Sequence, residues 1–347
     1  MIKVAIDTGL LKEDDIIRGI GFHTAEVIKY LRKDKELQIE TLDFTQIDLK
    51  KYDINHYPKF NPLLTNFPLV KTTKTVITIH DLIYLAYPDQ YPPGIKGKLR
   101  FYKNKGFIKK ADAIITISET SKKDILKYLG VNEDKVHVIY LAAREIYKPI
   151  KDINILHMVK EEFNLPEKFV LYVGDVNYNK NLLTLTDACK KINIPLVIVG
   201  KQAVSDTKTL NHIETQPLRE LLEKYGDDKD IIRTGYVQDD DLVAIFNLAS
   251  LYCQPSYHEG FGLTILEAMA TRTPVVASDI ECHREIAGDA VLYANPKSKK
   301  EMSEKIKNAL ESSRLRESLI EKGSKQVKKY SWDKTAKGTG SVYKEMV

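Results

Sequence analysis

Two glutamates flank a Gly-Phe-Gly sequence in the segment YHEGFGLTILEAMA at residues 257–270. Glu259 precedes the glycines, and Glu267 follows them in a stretch with helical periodicity. A glycine turn that leads into a helix presents backbone N–H groups and the positive end of the helix dipole, so it can bind a phosphate. Carboxylates cannot hold a phosphate, but they accept hydrogen bonds from sugar hydroxyls. The pattern therefore indicates a sugar nucleotide more than a bare phosphate.

Such a site needs a strand that ends, and a helix that begins, beside the glycines. Residues 249–256 have the composition of a buried strand, and apolar residues at 263, 266 and 270 have helical spacing. Short β-rich runs alternate with helical patterns along the whole chain, which is typical of parallel sheets covered by helices. The other predicted strands are 3–7, 39–43, 75–80, 113–118, 136–140, 169–174, 195–200, 230–237, 273–278 and 290–296.

The length of 347 residues suits two domains. A mixed segment with prolines at 149 and 166 separates the two series of strands. We therefore predict an α/β protein with two Rossmann-like, doubly wound domains, 1–150 and 151–330, that face each other across a ligand-binding cleft. From the residues alone, the tail 331–347 is either an ordinary terminal helix or one that packs back on the first domain.

The overall composition argues against several classes of protein. A net charge of +5 predicts no nucleic-acid binding, and no apolar stretch approaches the length of a membrane span. Three scattered cysteines fit a reducing cytosol and argue against a zinc site. The start MIKVAIDTGLL does not have the form of a secretion signal, so we expect a cytoplasmic protein.

One stretch is strongly basic. Residues Lys96 to Lys110 include seven basic side chains and no acidic one, interleaved with apolar residues. This stretch is either a solvated helix face or a patch for anionic lipid headgroups or a phosphorylated acceptor.

The segment 258–296 resembles the C-terminal domain of the retaining GT-B glycosyltransferases of family 4, whose Glu-x7-Glu motif matches Glu259 and Glu267. The resemblance covers most of the chain. RGIGFHTAEVIKYL resembles the glycine loop and helix of the family's N-terminal domain, and TVITIHDLIYLAYPDQYPP resembles the histidine loop of its mannosyltransferase-like members. YVGDVNYNKNL resembles the phosphate-binding strand and loop, and the tail resembles the terminal crossover helix, which would join the N-terminal acceptor domain.

The resemblance implies a role for each matched residue. Glu267 would bind the donor ribose, and Glu259 would lie near the donor sugar. Lys180 would neutralise the donor diphosphate, and His80 would lie near the transferred sugar. The implied catalytic residues are His80, Glu259 and Lys180; the implied donor-binding residues are Gly21, Gly174, Lys180, Glu259, Gly260, Phe261, Gly262, Leu263 and Glu267. The family usually works without a metal, so no metal and no cofactor are expected.

Two positions depart from the family's pattern. Asp175 stands where the family commonly has an arginine, so one cation is missing or is supplied by Arg144, Arg18 or Lys201. Arg272 stands where the family usually has glycine, and it either adopts another turn or brings a charge near the site.

The resemblance implies retaining transfer of a sugar from a nucleotide diphosphate to a glycan or lipid-linked acceptor in cell-surface polysaccharide synthesis. GDP-mannose is the favoured donor, with UDP-sugars and dTDP-rhamnose as alternatives. A catalytically impaired nucleotide-sugar-binding protein and a GT-B sugar-nucleotide epimerase stay open. A nicotinamide-dependent dehydrogenase is disfavoured because Gly19 and Gly21 come too far after the first strand.

Overall fold

The computed structural model describes residues 1–9, 19–44, 49–65, 67, 71–205 and 213–347. These residues divide into two compact units: unit 1 comprises Met1–Ala142 with Tyr330–Val347, and unit 2 comprises Ala143–Lys329. Each unit contains one six-stranded sheet in which every described strand pair is parallel. The predicted fold class, with two Rossmann-like α/β domains, is confirmed.

Unit 1 has the strand order β2-β1-β3-β4-β5-β6. Apart from the C-terminal helix, its helices lie in the connections between strands, as parallel pairing requires. The strands are β1 (Ile2–Asp7), β2 (Leu37–Leu42), β3 (Ile54–Tyr57), β4 (Lys74–Ile79), β5 (Ala113–Thr116) and β6 (Val136–Val138); the helices are α1 (Gly19–Leu31), α2 (Ile83–Ala86), α3 (Gly94–Lys109), α4 (Glu119–Leu129) and the C-terminal α13 (Trp332–Met346).

The residues at the two ends of helix α4 explain where this helix begins and ends. The Ser118 hydroxyl accepts a hydrogen bond from the Ser121 backbone N–H at 2.9 Å, which satisfies one free donor of the first turn. Gly130 ends the helix with a φ of 61°, in the left-handed conformation that glycine adopts without strain. Helix α4 therefore ends at Gly130.

Helix α13 belongs to unit 1 although it comes last in the chain. The Trp332 ring packs edge-to-face on Phe22 of α1, with ring centroids 5.8 Å apart. The Thr335 hydroxyl donates a hydrogen bond to the Tyr140 carbonyl oxygen at 2.7 Å, after β6. Of the two arrangements that the sequence left open for the tail, the structure has the one that packs back on the N-terminal fold.

Unit 2 has the strand order β12-β11-β10-β7-β8-β9. Its central strands β7, β8, β10 and β11 are buried almost throughout, as expected for a sheet covered on both faces. The strands are β7 (Val170–Val173), β8 (Leu196–Val199), β9 (Ile231–Gly235), β10 (Leu251–Gln254), β11 (Val275–Ser278) and β12 (Leu292–Ala294); the helices are α5 (Ile153–Glu162), α6 (Leu182–Lys191), α7 (Gln216–Tyr225), α8 (Asp239–Leu248), α9 (Leu263–Ala270), α10 (Glu281–Ala287), α11 (Lys299–Glu311) and α12 (Ser313–Val327).

Within the described residues, no helix combines the length and the apolar character that crossing a bilayer requires.

Candidate functional site

Two glycines shape the end of β7, where the loop toward Lys180 begins. Gly174 has a φ of 151°, and a Cβ atom added to it would lie 3.0 Å from the Tyr172 hydroxyl. A Cβ atom on Gly200, at the end of β8, would lie 2.2 Å from the Gly174 carbonyl oxygen. Gly200 therefore tolerates no side chain without a shift of the backbone, and the φ of Gly174 disfavours any residue other than glycine there.

Two asparagines join the Lys180 turn to the segment that carries Glu259. The Asn181 side-chain amide donates hydrogen bonds to the carbonyl oxygens of Pro255 and Pro296, at 2.9 and 2.8 Å. The Asn179 amide donates to the His258 carbonyl oxygen at 3.2 Å. These contacts fix the loop after β7 against the loop after β10.

Lys180 and Glu259 form an ion pair at this junction. The Lys180 Nζ lies 2.8 and 3.0 Å from the two carboxylate oxygens of Glu259. The Lys180 side chain is 24% exposed, whereas that of Glu259 is 8% exposed. The two residues that the resemblance assigns to the diphosphate and to the sugar are therefore in direct contact.

The Glu259 carboxylate is ionised despite its burial. Burial disfavours the charge, but the Lys180 ammonium and the Ser256 hydroxyl outweigh it and hold the pKa of Glu259 below its ordinary value. The Ser256 hydroxyl donates to Glu259 Oε1 at 2.6 Å, and the Gln254 amide donates to the same oxygen at 2.7 Å. Glu259 therefore acts as a fixed hydrogen-bond acceptor and not as an acid.

The Gly-Phe-Gly turn leads directly into α9. Gly262 has a φ of 90° and is the N-cap of this helix, with no side-chain cap. The first N–H groups of the helix thus have no capping side chain, which is what an anion site at a helix start requires. Helix α10 supports the turn, because the Cys282 thiol donates to the Phe261 carbonyl oxygen at 3.2 Å. The buried His283 ring packs against Gly262.

Glu267 is buried on α9 in a different environment. Burial raises its pKa to about 7, and the Asp239 carboxylate adds to this effect. Arg144 and a hydrogen bond from the Tyr147 hydroxyl favour the ionised form. Arg144 itself donates to the Tyr147 oxygen at 3.0 Å and is bidentate on Asp239. Glu267 is therefore a buried acceptor that titrates near neutral pH.

The two site residues predicted in the first half of the chain lie in unit 1. Gly21 is buried in the first turns of α1. His80 follows β4 and is 6% exposed; its Nε2 is hydrogen-bonded to His23 Nδ1 at 2.7 Å. The structure thus brings Lys180 into contact with Glu259, while the contributions of the predicted residues, Gly21 and His80 among them, to donor binding remain predictions.

Two of the three residues considered as a replacement for the absent arginine lie in the described part of the chain. Arg144 is paired with Asp239 and lies near Glu267. Lys201 is exposed and begins the short 3-10 turn after β8. Arg18 lies outside the described residues. Across the described ranges, no three His, Cys, Asp or Glu side chains are grouped so that they could hold a metal ion; metal independence remains a prediction.

Sequence reasoning missed several side chains that shape the site. Gln254 and Ser256 orient Glu259, Tyr147 bonds to Glu267, and His23 bonds to His80. Gln254 and Ser256 are polar residues at the end of a strand otherwise composed of buried apolar residues. That feature is a usable signal, because a buried polar side chain needs a partner.

Arg272 adopts the left-handed conformation that the family fills with glycine. Its φ is 64°, directly after α9, and its side chain is exposed. The prediction that Arg272 adopts a different turn is therefore wrong, and the residue carries backbone strain.

We expect Arg272→Gly to raise the free energy of unfolding by about 0.5–1 kcal/mol, because relief of strain exceeds the added entropy of the unfolded chain. Urea unfolding followed by circular dichroism measures the change. Arg272→Ala is the matched control, since it removes the charge but keeps the strain. If the alanine variant gains as much stability as the glycine variant, charge and not backbone conformation is responsible.

Comparison with known families agrees with this geometry. The family model described as "Glycosyl transferases group 1" matches residues 155–326, which include Lys180, Glu259 and Glu267. The model described as "Glycosyltransferase Family 4" matches residues 42–143, which include His80.

Relatives and solved structures extend the comparison. The chain is 28% identical over 306 residues to the O-antigen chain mannosyltransferase B of Escherichia coli, covering 86% of this chain and 75% of that protein. It is 30% identical over 266 residues to the serotype-specific mannosyltransferase WbdA of Escherichia coli; the match covers 76% of this chain but only 32% of that longer protein. The crystal structure of Anabaena Alr3699/HepE in complex with UDP and glucose shares the fold, with a TM-score of 0.75, 14% identity and coverage of 99% of this chain and 100% of that chain.

Proposed function

We propose that this chain, which belongs to glycosyltransferase family 4 of the GT-B fold, transfers mannose from GDP-mannose to a glycan or lipid-linked acceptor. The observation that carries the proposal is the Lys180–Glu259 pair beside the glycine-capped start of α9. It sets a cation, a helix N-terminus and a sugar-hydroxyl acceptor side by side. A nucleotide diphosphate sugar presents the matching groups, an anion next to a polyhydroxylated ring.

The choice of mannose and GDP is supported by relatives. Two proteins similar to this chain are named mannosyltransferases, one of them an O-antigen chain enzyme. This supports a role in the synthesis of a surface polysaccharide. The complex of the HepE structure with UDP makes UDP-sugars the first alternative donors to test, followed by dTDP-rhamnose. We also propose a cytoplasmic site of action, because the three cysteines are buried free thiols, which suits a reducing compartment.

The proposed reaction retains the anomeric configuration. The acceptor hydroxyl attacks the face from which the diphosphate leaves, through an oxocarbenium-like transition state, and the leaving phosphate takes the acceptor's proton. Lys180 and the N–H groups at the start of α9 stabilise the charge that develops on the diphosphate. Glu259 holds sugar hydroxyls and is not a nucleophile, unlike the carboxylates of retaining glycosidases.

Slow donor hydrolysis tests the stereochemistry without knowledge of the acceptor. With GDP-α-mannose in deuterated buffer, proton NMR is expected to show α-mannose as the first anomer formed, before mutarotation. Glu267→Ala, tested in parallel at a donor concentration below KM, is expected to release mannose about 100-fold more slowly, in line with its weaker donor binding. First appearance of the β-anomer would contradict retention.

We further propose that α3 contacts an anionic membrane surface. Ile95, Leu99 and Tyr102 follow one another at helical spacing and are 81%, 68% and 71% exposed. Exposed lysines at 96, 98 and 103 flank this apolar row. An exposed apolar row with flanking lysines is the pattern by which an amphipathic helix lies in the headgroup region.

Vesicle sedimentation tests the membrane contact. We expect the wild type to bind vesicles that contain 30% phosphatidylglycerol and to bind neutral phosphatidylcholine vesicles at least tenfold more weakly, since each lysine near an anionic surface contributes about 1 kcal/mol. The variant Leu99→Ser/Tyr102→Ser should lose most of this binding with unchanged donor hydrolysis. Binding that is equal on both lipids, or that is unaffected by the double substitution, would contradict the proposal.

A further inference from the structure

A chain of four polar side chains in unit 2 ends at Glu267. Arg144 binds the Asp239 carboxylate through both of its terminal nitrogens, one of them at 2.8 Å. The same guanidinium donates to the Tyr147 oxygen at 3.0 Å. Tyr147 is 4% exposed, and its ring packs edge-to-face on Phe246 with centroids 5.6 Å apart. Tyr147 therefore has a fixed ring and a hydroxyl that a strong donor already contacts.

The backbone that carries Arg144 and Tyr147 is anchored to helix α8 at two points. Asp239, which binds Arg144, is the first residue of this helix. Near the other end of the helix, the Asn247 side-chain oxygen accepts a hydrogen bond from the Ile150 backbone N–H at 2.9 Å. The place of the Tyr147 hydroxyl is therefore set by the fold of unit 2 and does not depend on a ligand.

The direction of the Tyr147 proton follows from what its neighbours can do. Burial raises the pKa of Tyr147, so the hydroxyl keeps its proton. A guanidinium only donates hydrogen bonds, so the Tyr147 oxygen accepts from Arg144 and its own proton remains available. The acceptor for this proton among the described residues is the Glu267 carboxyl group. A donor on the tyrosine oxygen also polarises the O–H bond, which strengthens the bond to Glu267.

Opposing effects act on the charge of Glu267. Burial is the largest, and it favours the protonated carboxyl group. The Arg144 guanidinium and the Tyr147 hydroxyl favour the ionised form, whereas the Asp239 carboxylate adds to the effect of burial. Tyr252 of β10 also interacts with Glu267, but it carries no charge because burial raises its pKa well above the ordinary value. The state of Glu267 therefore depends on the balance between the two ends of the chain.

We propose that Tyr147 is a positioning residue that holds Glu267 in its ionised form, with its hydroxyl aimed by Arg144. Asp239 acts in the opposite direction, so the chain sets the pH below which unit 2 loses affinity for its donor. This inference rests on the proposed function, in which Glu267 binds the donor ribose. An ionised carboxylate accepts hydrogen bonds on both oxygens, whereas a protonated carboxyl group has lost part of that capacity.

Donor binding as a function of pH tests the chain, because two variants should shift its midpoint in opposite directions. Isothermal titration calorimetry with GDP-mannose from pH 5.5 to 8.5 is the measurement, since the diphosphate diester loses no proton in this range. Tyr147→Phe keeps the ring on Phe246 but removes the hydrogen bond, so the midpoint should rise by about one pH unit from its value near 7. Asp239→Asn removes a negative charge and should lower the midpoint by about half a unit.

Asp240→Asn is the matched control, because Asp240 is exposed and lies next to Asp239 on the same turn of α8. It should leave the midpoint unchanged. Equal shifts in Asp239→Asn and Asp240→Asn would assign the effect to net charge and overturn the role of Asp239. A Tyr147→Phe variant that binds more weakly at every pH with an unchanged midpoint has lost only structure, and this result would overturn the positioning role.

The ionisation of Glu267 can be followed without any donor. In protein labelled with ¹³C at the glutamate side-chain carboxyl groups, the chemical shift of each carbon reports its protonation, and the Glu267→Gln spectrum identifies the Glu267 signal. We expect the titration midpoint to be highest in Tyr147→Phe and lowest in Asp239→Asn, with the wild type between them. Equal midpoints in all three proteins would overturn the proposal. Because no nucleotide sugar is present, this result separates failure of the chain from failure of the proposed function.

Discussion

Lys180→Ala is expected to lower kcat for donor consumption by about 100- to 1,000-fold while KM for the donor rises by less than tenfold. Lys180 is the cation that the described residues place at the glycine turn, in contact with Glu259. Negative charge develops on the diphosphate as the sugar leaves, so the ammonium stabilises the transition state more than the bound donor. Loss of one such preorganised group typically costs two to three orders of magnitude in kcat.

The Lys180 experiment needs a control for stability, because the substitution also strips Glu259 of its counter-ion. A buried carboxylate without a partner is strongly destabilising. The double variant Lys180→Ala/Glu259→Gln removes both charges and is expected to recover the melting temperature but not kcat. Steady-state kinetics and thermal unfolding of both variants separate the effects. A Lys180→Ala enzyme with unchanged kcat and only a raised KM would place the lysine in ground-state recognition.

Glu267→Ala is expected to weaken donor binding by about 100-fold. If the carboxylate accepts two ribose hydroxyls, each charged hydrogen bond contributes roughly 1.5–3 kcal/mol, of which part is offset by water in the variant. Glu267→Gln preserves the shape of the side chain and one acceptor oxygen, so it should lose less donor affinity than Glu267→Ala. Isothermal titration calorimetry measures the donor Kd of both Glu267 variants. Arg272→Ala, which changes a residue directly after the same helix, is the control variant. Unchanged donor affinity of Glu267→Ala would exclude the ribose role.

The pH dependence of binding gives an independent test of Glu267. Because burial raises its pKa to about 7, the carboxyl group is protonated below that pH and is then the weaker acceptor. Donor affinity should therefore fall as pH drops from 8 to 6, and Glu267→Gln should show a flat profile. The buried histidines His80 and His283 do not compete in this range, since burial lowers the pKa of each to about 4.

The positions of most strands follow from local sequence, and the strand that was missed among the described residues, β3, shows the limit. Residues 54–57 are fully buried but include Asn55 and His56, which read as polar. His56 is satisfied by the hydroxyls of Thr78 and Tyr343, the latter 287 positions away. No local sequence pattern predicts such a partner. A buried strand that contains polar residues is therefore easily mistaken for a loop.

The same reason limits prediction of the site. The Glu-x7-Glu spacing identifies Glu259 and Glu267, and the resemblance adds Lys180, but nothing in the sequence says that Lys180 and Glu259 are bonded across 79 positions. The different protonation of the two glutamates was equally hidden. Burial disfavours the charge on both carboxyl groups, but Lys180 and Ser256 outweigh it at Glu259, whereas Asp239 adds to it at Glu267; both effects are properties of packing.

In the proposed function, unit 2 binds a nucleotide diphosphate sugar through the glycine turn, Lys180 and Glu267. Thermal unfolding of the purified chain with GDP-mannose, UDP-glucose and dTDP-rhamnose tests it most directly, because a ligand that binds only the folded state raises the melting temperature. We expect all donors that bind to raise the melting temperature of the wild type, GDP-mannose the most, and we expect this stabilisation to be lost in Glu267→Ala. A wild type that no nucleotide sugar stabilises, or a Glu267→Ala variant that is stabilised equally, would show that unit 2 does not bind the donor in this way.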